Sequence, residues 1–197
     1  MKLVEETSIP LAALPMDAFK AHLRMGSGFA EDDIQDGVLE AFLRASIAAI
    51  ESRTGKAIIS REFRVTLHSW RNPTRQALPI APVQSVSEVR RITQPETAEV
   101  VDPARYSLQD EGMAAWLIPV GSHLPVIPEA GRVEILVTAG FGTDWSDLPA
   151  DLAQAVLLLA AHYYEFRHEV ALKDGCMPFG VTSLTARYRP MRLGASQ

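Results

Sequence analysis

The chain has 197 residues, of which 47% are hydrophobic and 22% are charged, and it contains one cysteine, Cys176. This length and composition fit a single soluble globular domain and exclude a disordered or fibrous chain, and one cysteine excludes an intramolecular disulfide. The formal net charge of -5 argues against a general duplex-DNA binder, because such a protein neutralises phosphates with Lys and Arg side chains.

The sequence carries no obvious export or membrane signal. Glu5 and Glu6 lie near the N-terminus with no long apolar run behind them, so we expect no secretory signal. The longest strongly apolar stretch, residues 155–161, is too short to cross a bilayer. We therefore expect synthesis in the cytoplasm and no membrane partner.

Two helices are predicted before residue 55. The first covers residues 15–25, and the second covers residues 31–54, with an acidic first turn and Gly55 directly after its end. Apolar residues of the second helix recur at helical spacing: Ile34, Val38, Leu39, Phe42, Ile47 and Ile50. One flank of this helix carries small side chains, so a neighbouring helix could approach it closely: Ala41, Ala45, Ala48 and Ala49.

A β-rich segment is predicted over residues 57–140. Phe63, Val65 and Leu67 alternate with polar residues, which is typical of a half-buried strand. Further short strands are predicted over residues 83–92, around Tyr106, and over residues 115–118 and 132–138, with proline and glycine turn signals between them.

The last long helix is predicted over residues 149–168, with Pro149 at its first position. Its apolar residues extend almost all round, so we expect it to be central or sandwiched between partners. The segment that follows Cys176 has three arginines and no acidic residue, and residues 183–188 could form a last helical turn. Residues 181–197 are therefore predicted to be a docking tail whose contact residues are Arg187, Tyr188, Arg189 and Arg192.

Together these elements predict an α+β fold. We expect a bundle of about three helices, a β-rich segment inserted between the second and the last long helix, and an extended C-terminal tail. Residues 1–180 would form the main domain, and residues 181–197 would form the tail.

The sequence offers two candidate chemical sites, and both are weak. His162, Glu165 and His168 could ligate a metal, but steps of three residues spread the side chains around a helix, whereas helical zinc motifs use histidines at i, i+4. Gly140 and Gly142 follow a strand, but the third glycine of a dinucleotide-binding loop is missing. We therefore expect no catalytic, metal or cofactor site, and no enzymatic activity.

Several segments, in this order, resemble the head-to-tail connector (adaptor) family of tailed phages, prophages and gene transfer agents, also called gp6-like. They are residues 51–57 (ESRTGKA), 78–86 (LPIAPVQSV), 133–142 (VEILVTAGFG), 148–152 (LPADL), 161–167 (AHYYEFR) and 184–190 (LTARYRP). The resemblance covers residues 19–190, and only the N-terminal residues 1–16 match no part of the family that we can place.

The resemblance implies a structural protein at the head–tail joint of a virion-like particle. It also implies a ring of about twelve copies under the portal, and a closed ring of this kind repeats one head-to-tail interface. Its implied partners are the portal protein, a tail-side neck or stopper protein, and DNA that passes through the lumen without sequence-specific binding. An acidic lumen would adhere weakly to that DNA.

Two other functions stay open at this point. Another neck or tail-completion (stopper) component would share the same acidic, site-free character. A small metal-dependent hydrolase that uses His162 and Glu165 is a remote alternative. If the tail docks on the portal, deletion of the residues after Gly180 is expected to abolish portal binding and to leave the fold intact.

Overall fold

The computed structural model describes residues 1–25, 33–94, 96–167 and 177–189. The chain divides into two compact units. The sheet unit contains Met1–Ile9 and Ile59–Thr143, and the helical unit contains Pro10–Ile58 and Asp144–Gln197. The mixed α+β class predicted from the sequence is confirmed. None of the described helices combines the length and the apolar character that crossing a bilayer requires.

The sheet unit is built from two antiparallel sheets. The larger sheet contains β1 (Lys2–Glu5), β2 (Arg61–Leu67), β4 (Val83–Thr93), β5 (Thr97–Val100) and β8 (Arg132–Ala139), in the order β1-β2-β8-β4-β5. The smaller sheet contains β3 (Gln76–Ala77), β6 (Tyr106–Asp110) and β7 (Ala115–Pro119), in the order β3-β7-β6. The strands predicted from alternation or apolar runs are present, whereas β1, β3 and β5 are too short to show a pattern.

The centre of the larger sheet is the pairing of β2 with β8. Phe63 and Val65 are buried on β2, and they lie opposite Val137 and Ile135, which are buried on β8. Because side chains alternate between the two faces of a strand, a register slip of one residue would move this apolar set to the opposite face. The hydrophobic pattern therefore fixes the register of the sheet.

The N-terminal strand β1 is an edge strand that the sequence did not predict. It pairs with β2, and its place is fixed by charge as well as by backbone hydrogen bonds. The Arg61 guanidinium is almost fully buried, and its Nε lies 3.0 Å from a Glu5 carboxylate oxygen. On the exposed side, Arg64 donates to Glu6 at 2.5 Å. A strand with so few apolar residues is located by its ionic partners, which are distant in sequence.

The glycine turn after β8 is a close approach of two backbone segments. Gly140 has a φ of +143°, and a Cβ atom at this position would collide with the backbone of Ile59 and Ser60. The Ser60 amide donates to the Gly142 carbonyl at 2.8 Å, which holds the two segments together. Glycine at position 140 is therefore required by the close crossing of the two segments.

The helical unit contains α1 (Met16–His22), α2 (Asp33–Thr54), α3 (Ala150–Glu165) and α4 (Phe179–Thr185). Single 3-10 turns precede α1 and α3, and another follows α4. Helix α3 packs against both α2 and α4. The side chains that fill this packing on α2 and α3 are fully buried: Leu39, Leu43, Ile47, Ile50, Leu152, Ala155, Val156 and Leu159. The central position predicted for the last long helix is thus observed within this unit.

The helix ends differ slightly from the sequence prediction. Helix α1 ends at His22 and not at residue 25, because Arg24 adopts a left-handed conformation with φ +56°. Gly55, with φ +67°, terminates α2 as predicted. Helix α3 ends at Glu165, and His168, the predicted last residue, lies outside the described residues. The same is true of residues 31 and 32, where α2 is predicted to begin.

Two glycine-to-alanine substitutions are expected to have opposite effects on stability. Gly140→Ala should lower the free energy of unfolding by at least about 2 kcal/mol, because the backbone conformation and the crossing both exclude a Cβ atom. Gly37→Ala should raise it by about 0.5–1 kcal/mol, because this α2 residue has open space around its Cβ position. Urea denaturation of both variants measures this, and equal midpoints for the two would contradict the close crossing.

Candidate interaction surface

The C-terminal segment predicted as a docking tail begins as a packed helix. Val181, Thr185 and Tyr188 recur at helical spacing on α4 and the 3-10 turn that follows it, and all three are buried. The Thr185 hydroxyl donates to the Val181 carbonyl at 2.8 Å, so its polar atom is satisfied inside the packing. Residues 181–188 are therefore helical and not extended, and a deletion after Gly180 would remove most of a packed helix.

A polar cluster fixes the end of this segment to the first turn of α3. The Tyr188 hydroxyl donates to one oxygen of Asp151 at 2.8 Å, and the Arg187 Nε lies 2.8 Å from the other oxygen. The Arg187 guanidinium also donates to the Tyr188 hydroxyl and lies over the Tyr188 ring, 4.7 Å from its centre. Each oxygen of the carboxylate therefore holds one of two successive side chains. We call Asp151, Arg187 and Tyr188 the C-terminal clamp.

The electrostatics of the C-terminal clamp favour its neutral phenol and its charged guanidinium. Burial raises the pKa of Tyr188 above its ordinary value, and the hydrogen bond to Asp151 adds to the increase. The hydrogen bond to Tyr188 is the main cause of the raised pKa of Arg187, and the negative charge of Asp151 acts in the same direction. The Arg187 side chain is 65% exposed, so its ion pair with Asp151 is screened by solvent.

The four predicted contact residues lie in different environments. Tyr188 is buried inside the C-terminal clamp, and Arg187 is exposed but engaged with Asp151. Arg189 is exposed directly after the clamp, and Arg192 lies outside the described residues. The geometry thus separates two residues that hold the segment, Arg187 and Tyr188, from Arg189, which is exposed outside the clamp.

Phe179 is an exposed aromatic residue that the sequence analysis did not single out. It is the first residue of α4, and 87% of its surface is accessible. The buried positions of α4 begin at Val181, so Phe179 lies on the outer face of the helix. In the sequence, Pro178 directly before Phe179 indicates that a helix starts here, because proline is common at the start of a helix. Phe179 therefore presents a large apolar side chain to solvent.

A shallow cavity lies between α3, α4 and the end of α1. It is lined by His22, Leu158, Ala161, His162, Glu165, Pro178, Gly180 and Val181. Two of the three candidate metal ligands considered from the sequence, His162 and Glu165, are among these residues. The third, His168, lies outside the described residues. The His162 ring packs on Phe166 with ring centres 4.6 Å apart. Across the described ranges, no group of three or more His, Cys, Asp or Glu side chains could hold a metal ion.

Comparisons with known proteins give matches among solved structures alone. No family profile and no curated protein sequence matches the chain. The structure is similar to a chain in the neck of an empty gene transfer agent (GTA) particle computed with C6 symmetry, with 48% identity and a TM-score of 0.90. It is similar to a chain of the virion of a native GTA particle, with 49% identity and a TM-score of 0.87. It is also similar to a chain in the neck of a native GTA particle computed with C12 symmetry, with 45% identity and a TM-score of 0.86. Each match covers 100% of this chain and 99% of the other.

The C-terminal clamp is expected to stabilise the protein cooperatively. Tyr188→Phe should lower the free energy of unfolding by about 1 kcal/mol, because it leaves Asp151 without a buried hydroxyl partner. Asp151→Asn should have a smaller effect, below about 1 kcal/mol, because solvent screens the charge that pairs with Arg187. A double-mutant cycle measured by urea denaturation should give a coupling of at least about 0.5 kcal/mol, and additive effects would contradict the clamp.

Proposed function

The chain belongs to the head-to-tail connector (adaptor) family of phage-like particles, and we propose that it forms a ring that joins a portal to a tail. The observation that carries this proposal is the similarity of the whole chain, at 45–49% identity, to chains of GTA necks and virions. A neck is the joint between a head and a tail, so its proteins act by contact with partners. We therefore propose a structural role without enzymatic activity.

The symmetry of similar particle necks supports a proposal for the number of copies in the ring. Two of the similar chains come from necks computed with C6 and C12 symmetry. A cyclic ring requires one surface of each copy to bind a different surface of the next copy, and the interface then repeats until the ring closes. We propose about twelve copies, because the C12 relative has a similarly folded chain of nearly the same length.

The charge distribution supports a channel that lets DNA pass. Many arginines on the described surface are already paired with carboxylates of the same copy: Arg64 with Glu6, Arg91 with Glu99, and Arg132 with Glu96 and Glu134. Paired guanidiniums are poorly available to phosphates, and the whole chain has a net charge of -5. We propose that the ring forms part of the DNA exit channel and adheres weakly to the DNA.

The end of the chain is the part that we assign to portal docking. The C-terminal clamp holds Arg187 and Tyr188 on α3, and Arg189 is the first exposed residue beyond it. We assign Arg187 and Tyr188 to positioning of the tail, and Arg189 and Arg192 to contact with acidic groups of the portal. The opposite side of the ring would bind a tail-side neck or stopper protein. The protein would be made in the bacterial cytoplasm and incorporated at the head–tail joint.

The first test of this function is electron microscopy of the protein with the portal encoded in the same genome neighbourhood. The mixture should show a second ring of about twelve copies on the tail-facing end of the portal, because cyclic closure follows the symmetric partner. The protein alone and the portal alone are the controls. No added ring at several salt concentrations would contradict the adaptor function and would favour another neck component.

A second test separates the portal contact from the fold. Arg189→Ala should weaken portal binding at least about tenfold, because an exposed arginine at an interface is a frequent source of binding energy. Arg167→Ala is the matched control, since Arg167 is also exposed but stacks on Tyr164 of its own helix. Surface plasmon resonance with immobilised portal measures both affinities. Equal affinities for the two variants would contradict the assignment of Arg189.

A further inference from the structure

We propose that neighbouring copies in the ring contact each other through two outer faces of the helical unit, the α4 outer face on one copy and the α2 outer face on the next. The inference rests on the proposed ring, and it names the surfaces and the partner, which is a second copy of this chain.

The α2 outer face is an exposed strip of small, mostly apolar side chains on a helix whose other side is packed. Its exposed residues return at helical spacing: Gly37, Val38, Ala41, Ala45, Ala48 and Ser52. The strip is about 23 Å long, at 1.5 Å per residue. Val38 is 44% exposed, and Gly37 has open space around its Cβ position. Since no long side chain projects from the strip, the backbone of a partner helix can approach it closely.

The α4 outer face is a small surface that carries one large apolar side chain. Phe179 is 87% exposed at its start, and the exposed Ser183 and Ala186 continue it at helical spacing. The opposite face of α4 is buried against α3. A phenylalanine ring that projects from a row of small residues can insert into a flat apolar strip and allow the two helices to approach.

The two faces lie where a head-to-tail contact needs them. Helix α3 packs against both α2 and α4, whereas α2 and α4 make few or no contacts with each other in the described part of the chain. The outer faces of α2 and α4 therefore lie on different flanks of the helical unit. A cyclic ring requires two unlike, complementary surfaces on each copy, and an aromatic projection with a low apolar strip is such a pair.

Charge is a secondary contribution to this contact. Asp36 and Glu40 border the α2 outer face with side chains that are 40% and 31% exposed, but Lys20 and Arg44 of the same copy already pair with them. The apolar surfaces must therefore supply most of the binding.

The free edges of the larger sheet are weaker candidates for the contact between copies, because β1 and β5 have only four residues each and carry charges such as Glu5 and Glu99.

Cross-linking of rings assembled on the portal tests the contact directly. In a Cys176→Ser background, Val38→Cys and Ser183→Cys introduce one thiol on each outer face. A short bis-maleimide should convert rings of the double variant into a ladder of covalent species up to the complete ring. A mixture of the two single variants should give covalent dimers and nothing larger, because each chain then carries one thiol. Each single variant alone should stay uncross-linked.

The control pair combines Ser183→Cys with Gln154→Cys, because Gln154 is exposed on α3 outside both faces. A ladder from the control pair, or dimers from Ser183→Cys alone, would overturn the proposed pairing. Rings that are visible on the portal but give no cross-linked product between positions 38 and 183 would also overturn the proposed pairing. That result would leave the adaptor function intact. Absence of a ring with the unmodified protein would overturn the adaptor function and this inference together.

A bulky substitution gives an independent readout. Ala45→Arg should abolish ring formation on the portal and leave the helical content and the urea midpoint unchanged, because arginine is a good helix former at an exposed position. Gln154→Arg adds the same side chain elsewhere on the unit and should preserve the ring. Normal rings from Ala45→Arg would overturn the proposal.

Discussion

The helical unit depends on the burial of α3 on more than one side. Leu152, Val156 and Leu159 are fully buried, and α3 packs against a long helix on one side and a short one on another. Burial of each such side chain contributes about 1.5–3 kcal/mol, so a helix with apolar residues around most of its circumference cannot remain exposed. Because α3 supplies the shared core, α2 and α4 are left with outer faces that need no packing inside the same copy.

Several strong charges of the described residues are satisfied by partners in the same copy. The Arg61 guanidinium, which is almost fully buried, pairs with Glu5. The half-buried Arg91 pairs with Glu99 on the neighbouring strand, and the half-buried Arg132 pairs with Glu134 on its own strand. Exposed pairs of this kind add little stability, with a typical value below about 1 kcal/mol. Their consequence lies in recognition, since a guanidinium held by a carboxylate is less available to a polyanion. This local pairing supports the proposal of a channel through which DNA passes without being retained.

The sequence predicts the parts of this fold that have a strong periodic pattern. The alternation of Phe63, Val65 and Leu67 predicts β2, and the helical spacing through Leu39 and Ile50 predicts α2, because in each case one face must be buried. The strand β1 could not be predicted, because it has four residues and its ion-pair partners lie more than fifty positions away. Long-range partners leave no trace in a local window of sequence.

The interaction surface was predictable only in outline. The basic composition after Cys176 predicts a docking tail, which stays a prediction, and of its predicted contact residues Arg189 is exposed outside the C-terminal clamp. The burial of Tyr188 could not be predicted from local spacing, because its hydrogen-bond partner Asp151 lies 37 residues earlier in the chain. In the same way, Phe179 looks like an ordinary core residue until the buried side of α4 is known.

The position of β1 in the larger sheet also bears on how the protein is made. Residues 2–5 leave the ribosome before the whole of α1 and α2, their pairing partner β2 follows those helices, and the central strand β8 appears only after residue 131. Pairings between such distant segments slow folding, because the loop must close before the strands gain their hydrogen bonds. The larger sheet can therefore be completed only late in translation, and the nascent N-terminal segment has to wait for most of the chain.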